Sequence, residues 1–114
     1  MRIWYPIPVQ ELDKKRLFGE HNEILIIGKA IKAIKDNTKY GFKHHPETKR
    51  WIGYTKALKR RHDDVANEMV KRGFNHKSPW SNDLINEKDT EEFPKELWES
   101  LDVMVEKLKQ KRGY

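Results

Sequence analysis

The 114-residue chain has roughly the length of one domain. A membrane span requires about 18 consecutive apolar residues, and every apolar run in this chain is far shorter. It contains no cysteine, which excludes disulfides, thiolate nucleophiles and thiolate zinc sites. Lysine and arginine outnumber aspartate and glutamate by 24 to 18, and the net charge of +6 favours a polyanionic partner such as nucleic acid or an acidic surface.

The amino-terminal residues do not have the pattern of a signal peptide. They contain no long apolar segment, and Pro6 and Pro8 interrupt them. We therefore expect an intracellular protein, either cytoplasmic or nucleoid-associated, that forms a single domain over residues 1–114.

Three runs of apolar residues at three- and four-residue steps predict three helices. The three apolar stripes are Leu17, Ile24, Ile27, Ile31 and Ile34, then Trp51, Tyr54, Leu58, Val65 and Met69, and finally Leu97, Leu101, Met104, Val105 and Leu108. The first helix is predicted from about residue 10 to residue 35, and the second from about residue 48 to residue 72, where Gly73 supplies a stop. The third is predicted to begin near Pro94, which suits a first turn, and to end at Gly113.

The segment between the second and third helices lacks periodicity. Residues 74–92 are therefore predicted to form an ordered connector rather than a strand. The sequence as a whole predicts an all-α fold, a single compact domain of three main helices with long ordered loops.

The loop between the first two helices is rich in basic and aromatic side chains. It carries Tyr40, Phe42, Lys43, His44 and His45, and we interpret it as a contact surface. The five histidines of the chain do not reproduce the HExxH motif or another short ligand spacing, so no metal site is predicted. For His44 and His45, contact with phosphate is favoured over metal coordination, and a surface position without a role is favoured over both.

Two carboxylates on the first helix are candidates for a special role. At about 100° per residue, Glu20 lies in the middle of the apolar stripe and Glu23 lies at its border. Burying an ionised glutamate is costly unless it is paired, so one interpretation is that Glu20 binds an arginine such as Arg61 of the second helix, and a functional role is the alternative. From the residues alone, Glu23 is better explained as a solvated boundary residue than as a catalytic one.

Three motifs are spaced through the first 77 residues: Val-Gln-Glu-Leu at 9–12, Leu-Phe-Gly-Glu-His-Asn-Glu at 17–23 and Met-Val-Lys-Arg-Gly-Phe-Asn at 69–75. They resemble the patterns Val-x-Glu-Leu, Leu-Met-Ala-Glu-Tyr-Arg-Glu and Leu-Lys-Arg-Gly-Phe-Asn of the phage-type pyrimidine-dimer DNA glycosylases, also called UV endonuclease V. The spacing between the motifs is closely similar, and the resemblance becomes loose beyond residue 77.

The resemblance implies a bifunctional DNA glycosylase and abasic-site lyase whose nucleophile is the amino-terminal amine and whose key acid matches Glu23. An α-amine has an unperturbed pKa of about 7.7–8.0, so an appreciable fraction is neutral and nucleophilic at physiological pH. Attack on the anomeric carbon would expel the base and yield an imine. Glu23 would stabilise the positive charge on the sugar and assist the proton transfers of β-elimination, and Glu20 would be structural.

The chain departs from the family pattern at several positions. The family begins with a threonine followed by arginine after removal of methionine, whereas here Met1 precedes Arg2, whose long side chain should leave Met1 in place. The expected nucleophile is therefore the amine of Met1. Asn22 and Ile26 stand where the family has arginines, so two phosphate or base contacts are missing, and the family's aromatic Trp-Tyr-Lys-Tyr-Tyr-Gly tail has no counterpart.

The implied partner is double-stranded DNA, bound by a monomer that needs no cofactor. The expected DNA contacts are Arg2, Arg16, His44, His45, Lys71, Arg72 and Lys107. One alternative is a DNA-binding protein of the same fold without repair activity, which the missing arginines favour. Another is a small helical protein that binds an acidic protein partner, which only the net charge supports. A steep salt dependence of DNA binding would favour the first two interpretations over this one.

Overall fold

The computed structural model describes residues 2–75 and 79–110, and within them the chain forms helices and loops with no strand. The α-helices are α1 (Lys14–Asp36), α2 (Pro46–Trp51), α3 (Thr55–Lys71) and α4 (Leu101–Gln110), and short 3-10 turns lie at Val9–Glu11 and Asn82–Leu84. The predicted all-α fold is confirmed, with α1, α3 and α4 as the three main helices. No helix of the described part is long and apolar enough to cross a membrane.

The first helix begins later than predicted, at Lys14 rather than near residue 10. Leu12 is extended, and the Asp13 side chain accepts a hydrogen bond from the Arg16 backbone N–H at 2.8 Å, which caps the helix. Asn37 ends the helix in the left-handed conformation, with a φ of 54°. The apolar pattern continued into the preceding 3-10 turn, and the cap is what sets the boundary.

The second helix was predicted as one element, and this was wrong. The structure divides it into α2 and α3, because Ile52 is extended and Gly53 has a φ of +87°, a conformation that favours glycine. The imidazole of His45 caps α2 by accepting a hydrogen bond from the Glu47 backbone N–H at 3.0 Å. The break lets Trp51 and Leu58 both reach the core, where each is fully buried.

The last helix also differs from its prediction. It begins at Leu101, and Pro94 is buried in the preceding loop instead of standing in a first turn. Within the predicted stripe, Met104 is buried, whereas Leu101 and Val105 are exposed. The predicted stop, Gly113, lies outside the described residues.

The core forms where α1 packs against α2 and α3 and where the amino-terminal segment lies across them. Its fully buried side chains include Ile3, Leu17, Ile24, Ile27 and Val65. Ile34, the last member of the α1 stripe, is partly exposed because it lies in the final turn of the helix. The amino-terminal segment is thus part of the core, and its position is set by the helices beneath it.

Candidate active site

Glu20 and Arg61 form a buried ion pair between α1 and α3. Arg61 Nε and Nη2 donate to the two carboxylate oxygens of Glu20 at 2.5 and 3.1 Å, and the backbone N–H of Trp4 donates to Glu20 Oε1 at 2.6 Å. The interpretation of Glu20 as a partner of Arg61 is therefore confirmed. The same carboxylate also binds the amino-terminal segment to α1 through the backbone of Trp4.

Arg50 also holds the amino-terminal segment in place. Its guanidinium, almost entirely buried, donates to the backbone carbonyls of Tyr5 at 2.7 Å and Ile3 at 3.4 Å. It pairs as well with Glu47 at 3.0 Å. Glu20 and Arg50 thus both bind the backbone of residues 3–5. These hydrogen bonds restrict where the preceding amino terminus can lie.

Glu23 lies one turn beyond Glu20 on α1 and is half-buried. Burial raises the pKa of its carboxyl above the usual range, and the positive charges of the chain's terminal amine and of His45 oppose that shift. The carboxyl is therefore at the border between core and solvent, as its helical position predicted. Met1, the predicted nucleophile, lies outside the described residues.

Arg2 is held between two indole rings. Its guanidinium carbon lies 5.0 Å from the centre of the Trp4 ring and 4.9 Å from that of Trp98. It also forms an ion pair with Glu99, whose other oxygen accepts from Lys107 Nζ at 2.7 Å. Two predicted DNA contacts, Arg2 and Lys107, are therefore brought together around one carboxylate.

Arg16 joins the same cluster from α1. It is buried, it pairs with Asp13 at 2.5 Å, and it donates to the backbone carbonyl of Lys107 at 3.2 Å. Its guanidinium lies 5.5 Å from the centre of the Trp4 ring. Arg16 therefore connects α1 with α4 through two of its guanidinium nitrogens.

These features can be compared with known proteins. A family model described as pyrimidine dimer DNA glycosylase matches residues 1–82, well over half of the chain. This chain belongs to that family. Searches of curated proteins and of solved structures each returned no significant match. Membership makes the protein a DNA glycosylase, an enzyme of DNA repair with DNA as its substrate.

The matched region of this glycosylase contains Glu20, Glu23, Arg50 and His45, whereas Trp98, Glu99 and Lys107 follow it. The later segment nevertheless meets the earlier one directly. Trp98 Nε1 donates to the buried carboxylate of Glu47 at 2.5 Å, and its ring lies edge-on to His45 at 6.1 Å. The half-buried His45 thus lies against Trp98, one of the two rings that hold Arg2, and its sequence neighbour His44 is exposed.

The remaining predicted contacts lie at the carboxyl end of α3. Lys71 is exposed, whereas Arg72 pairs with Glu68 at 2.7 Å and donates to the carbonyl of Gln10 at 3.2 Å. Arg72 therefore ties α3 to the first 3-10 turn of the glycosylase. Of the two, Lys71 is the side chain free to meet a phosphate from solvent.

Sequence reasoning missed Arg50, Glu47 and Trp98. The signal that could have found the first two was local: Glu47 and Arg50 stand three residues apart, and both face a buried tryptophan at position 51. No local signal marked Trp98, because its partner Glu47 is 51 residues away. Among the residues that the structure describes, no group of three or more histidine and acidic side chains could hold a metal ion.

Proposed function

We propose that this glycosylase is bifunctional and that the amine of Met1 is its nucleophile. The amine lone pair forms a bond to the anomeric carbon of the damaged nucleotide, and the base leaves with the electrons of the broken glycosidic bond. Loss of a proton and opening of the sugar ring give an imine. Removal of the sugar 2′ proton then expels the 3′ phosphate by β-elimination, and hydrolysis of the imine frees the enzyme.

Glu23 is the acid that serves this chemistry. Its carboxylate stabilises the positive charge that develops on the sugar, and it then accepts and returns protons during ring opening and elimination. The observation that carries the proposal is the position of Glu23: its carboxyl is half-buried at the border of the core, where burial raises its pKa and the charge of the terminal amine opposes that rise. A partly desolvated carboxyl with a raised pKa is suited to exchanging protons with a reacting group.

The buried contacts of residues 3–5 support the same proposal. A terminal amine is a useful nucleophile only if the chain behind it is held in one position, because misplacement of a reacting atom by about 1 Å can cost 10²-fold in rate. Glu20 binds the N–H of Trp4, and Arg50 binds the carbonyls of Ile3 and Tyr5. We assign both as positioning residues and keep the catalytic role for Met1 and Glu23.

The DNA surface is proposed to include Arg2, Lys107, His44, His45 and Lys71. Arg16 and Arg72 bind other residues of the protein and are proposed to support this surface. Arg2 and Lys107 converge on the carboxylate of Glu99, a geometry in which a DNA phosphate could take the place of that carboxylate. Double-stranded DNA bound by a single copy of the chain is the partner that we propose. A DNA repair enzyme of this kind is expected to work inside the cell.

The proposal is tested by incubating the protein with abasic-site DNA and borohydride. Borohydride reduces the imine, so a covalent protein–DNA adduct is expected, and peptide mapping should place it on the amino-terminal residue. An adduct on an internal lysine, or DNA binding without any adduct, would contradict the amine mechanism. The second of these results would instead support a DNA-binding protein of the same fold that has no lyase activity.

A tagged protein provides the control for this experiment. An uncleaved amino-terminal tag moves the terminal amine away from Glu23, so the tagged protein should bind DNA yet form no adduct. Equal adduct formation by tagged and untagged protein would contradict the assignment.

Replacing Glu99 by glutamine is expected to strengthen DNA binding. Hydrogen bonds from Arg2 and Lys107 hold the pKa of Glu99 below its usual range, so at neutral pH this carboxylate occupies both cations. Its neutralisation should make binding more sensitive to salt. The plot of the logarithm of the binding constant against the logarithm of salt concentration should become steeper by up to about 0.9 for each additional phosphate that the protein neutralises. Fluorescence anisotropy over a range of salt concentrations measures both effects.

The matched control is Glu96→Gln, which removes the same charge from an exposed side chain nearby. It should leave the slope unchanged. If Glu96→Gln and Glu99→Gln strengthen binding equally, the effect is one of net charge alone.

A further inference from the structure

Arg2, the residue that follows the proposed nucleophile, is held by its side chain. Hydrogen bonds hold the backbone of residues 3–5, so rotation about the backbone bonds of the first two residues decides where the terminal amine points. The guanidinium of Arg2 lies between the rings of Trp4 and Trp98, at 5.0 and 4.9 Å from their centres, and it pairs with Glu99. A side chain held by three contacts limits the backbone rotations of its own residue.

The ring of Trp98 is anchored to the core, although 43% of this residue is exposed. Its indole N–H donates to Glu47 Oε2 at 2.5 Å, and Glu47 is only 1% exposed. The other oxygen of Glu47 accepts hydrogen bonds from Arg50 Nη1 at 3.0 Å and from Trp51 Nε1 at 2.9 Å. A buried carboxylate thus fixes an otherwise exposed ring in the position where it covers Arg2.

The loop that carries Trp98 is held at two further points. The ring of Phe93 stacks on that of Tyr5 with their centres 4.5 Å apart. The backbone carbonyl of Glu96 accepts a hydrogen bond from Arg50 Nε at 3.2 Å. Both contacts are close to Trp98 in sequence, so they keep its loop against the amino-terminal segment.

We propose that Trp98 is a positioning residue for the nucleophilic amine. Its ring, fixed by Glu47, holds the guanidinium of Arg2 and thereby restricts the terminal amine to orientations that reach the anomeric carbon. The inference rests on the proposed function and adds to it a residue from the loop before α4. A cation is attracted to the face of an indole ring, and that flat face limits where the guanidinium can lie. Because a misplacement of about 1 Å can cost 10²-fold in rate, a contact of modest strength can have a large kinetic effect.

Two substitutions of Trp98 separate positioning from stability. Trp98→Phe and Trp98→Leu both remove the N–H that binds Glu47, so their melting temperatures should fall by similar amounts. Only Trp98→Phe keeps an aromatic face for the guanidinium of Arg2. With saturating abasic-site DNA and borohydride, below the melting transition, the single-turnover rate of adduct formation should fall by about tenfold or more in Trp98→Leu, and Trp98→Phe should recover most of that loss. A purely structural role would slow both variants equally.

Three measurements complete the experiment. In NMR spectra without DNA, the ring currents of two indoles should shift the side-chain protons of Arg2 upfield, and Trp98→Leu should lose much of that shift. Reductive methylation of the terminal amine by formaldehyde and cyanoborohydride should keep the wild-type rate to within about twofold in Trp98→Leu, because a small aldehyde can approach from any direction. The matched control is Ile52→Ala, which shortens an apolar side chain of a residue that is 44% exposed and should match wild type throughout.

The outcomes distinguish the role of Trp98 from the amine mechanism. If wild-type protein forms the adduct and Trp98→Phe and Trp98→Leu form it at equal rates, the positioning role is wrong and the proposed function stands. The same conclusion follows if the Arg2 signals are unchanged in Trp98→Leu, or if methylation slows as much as adduct formation does. If wild-type protein binds the DNA without forming an adduct, the amine mechanism fails, and the positioning of that amine fails with it.

Discussion

Replacing Glu23 by glutamine is expected to lower the single-turnover rate by about 10² to 10⁴, the usual cost of removing a general acid or base. Glutamine is nearly isosteric and the side chain is half-buried at the edge of the core, so packing is preserved. It cannot neutralise the positive charge on the sugar, and it cannot relay a proton. Fold and DNA affinity should stay close to those of the unmodified protein, as thermal melts and anisotropy will show.

The pH dependence gives an independent check on the same residue. Burial raises the pKa of Glu23, so its carboxylate is protonated at a higher pH than that of an ordinary glutamate. As pH falls, the loss of rate caused by this protonation should therefore begin at a higher pH. In Glu23→Gln the part of this acidic limb that Glu23 causes should disappear along with most of the activity, and the part caused by protonation of the terminal amine should remain. The exposed Glu11 provides a control, since Glu11→Gln should keep both the rate and the acidic limb.

Replacing Glu20 by glutamine should act chiefly on stability, with an expected loss of about 3–5 kcal/mol in the free energy of unfolding. Arg61 is buried and would be left without its carboxylate partner, and the N–H of Trp4 would lose a charged acceptor. Chemical denaturation measures the loss. Because the glutamine carbonyl oxygen can still accept the hydrogen bond from the Trp4 N–H, the single-turnover rate below the melting transition should change much less than it does in Glu23→Gln.

An exposed ion pair on the same helix is the natural comparison. Asp36→Asn breaks the pair of Lys32 with Asp36, whose side chains are about 40% accessible, and should change the free energy of unfolding far less than Glu20→Gln does. A result in which Glu20→Gln abolishes catalysis at an unchanged melting temperature, while Glu23→Gln only destabilises, would reverse the two roles and refute the motif alignment.

The helical positions of the two acids were predictable from the sequence because helix periodicity is a local property. A repeat of 3.6 residues determines which side chains share a face, so the burial of Glu20, its need for a partner and the border position of Glu23 all followed from spacing along α1. The all-α class followed in the same way from the apolar stripes. The motifs at 9–12, 17–23 and 69–75 predicted the family, which the family model confirmed.

Element boundaries were less predictable, because short-range geometry overrides the apolar pattern there. The cap at Asp13 and the left-handed Gly53 ended or divided helices whose hydrophobic spacing continued through them. Leu101 and Val105 belong to a predicted apolar stripe and are nevertheless exposed. An apolar stripe predicts a buried face only if another element covers it, and the stripe carries no information on which element does so.

The sequence by itself determined the fold class, the family and the buried, paired position of Glu20, but not that of Glu47. Only the tertiary structure decided how the amino-terminal segment is held and how the segment after residue 93 meets it. Arg50 binds the carbonyl of Tyr5 across 45 residues, and Trp98 binds Glu47 across 51. Local patterns cannot encode such pairs, because their partners come together only after the helices have packed and excluded water from the groups between them.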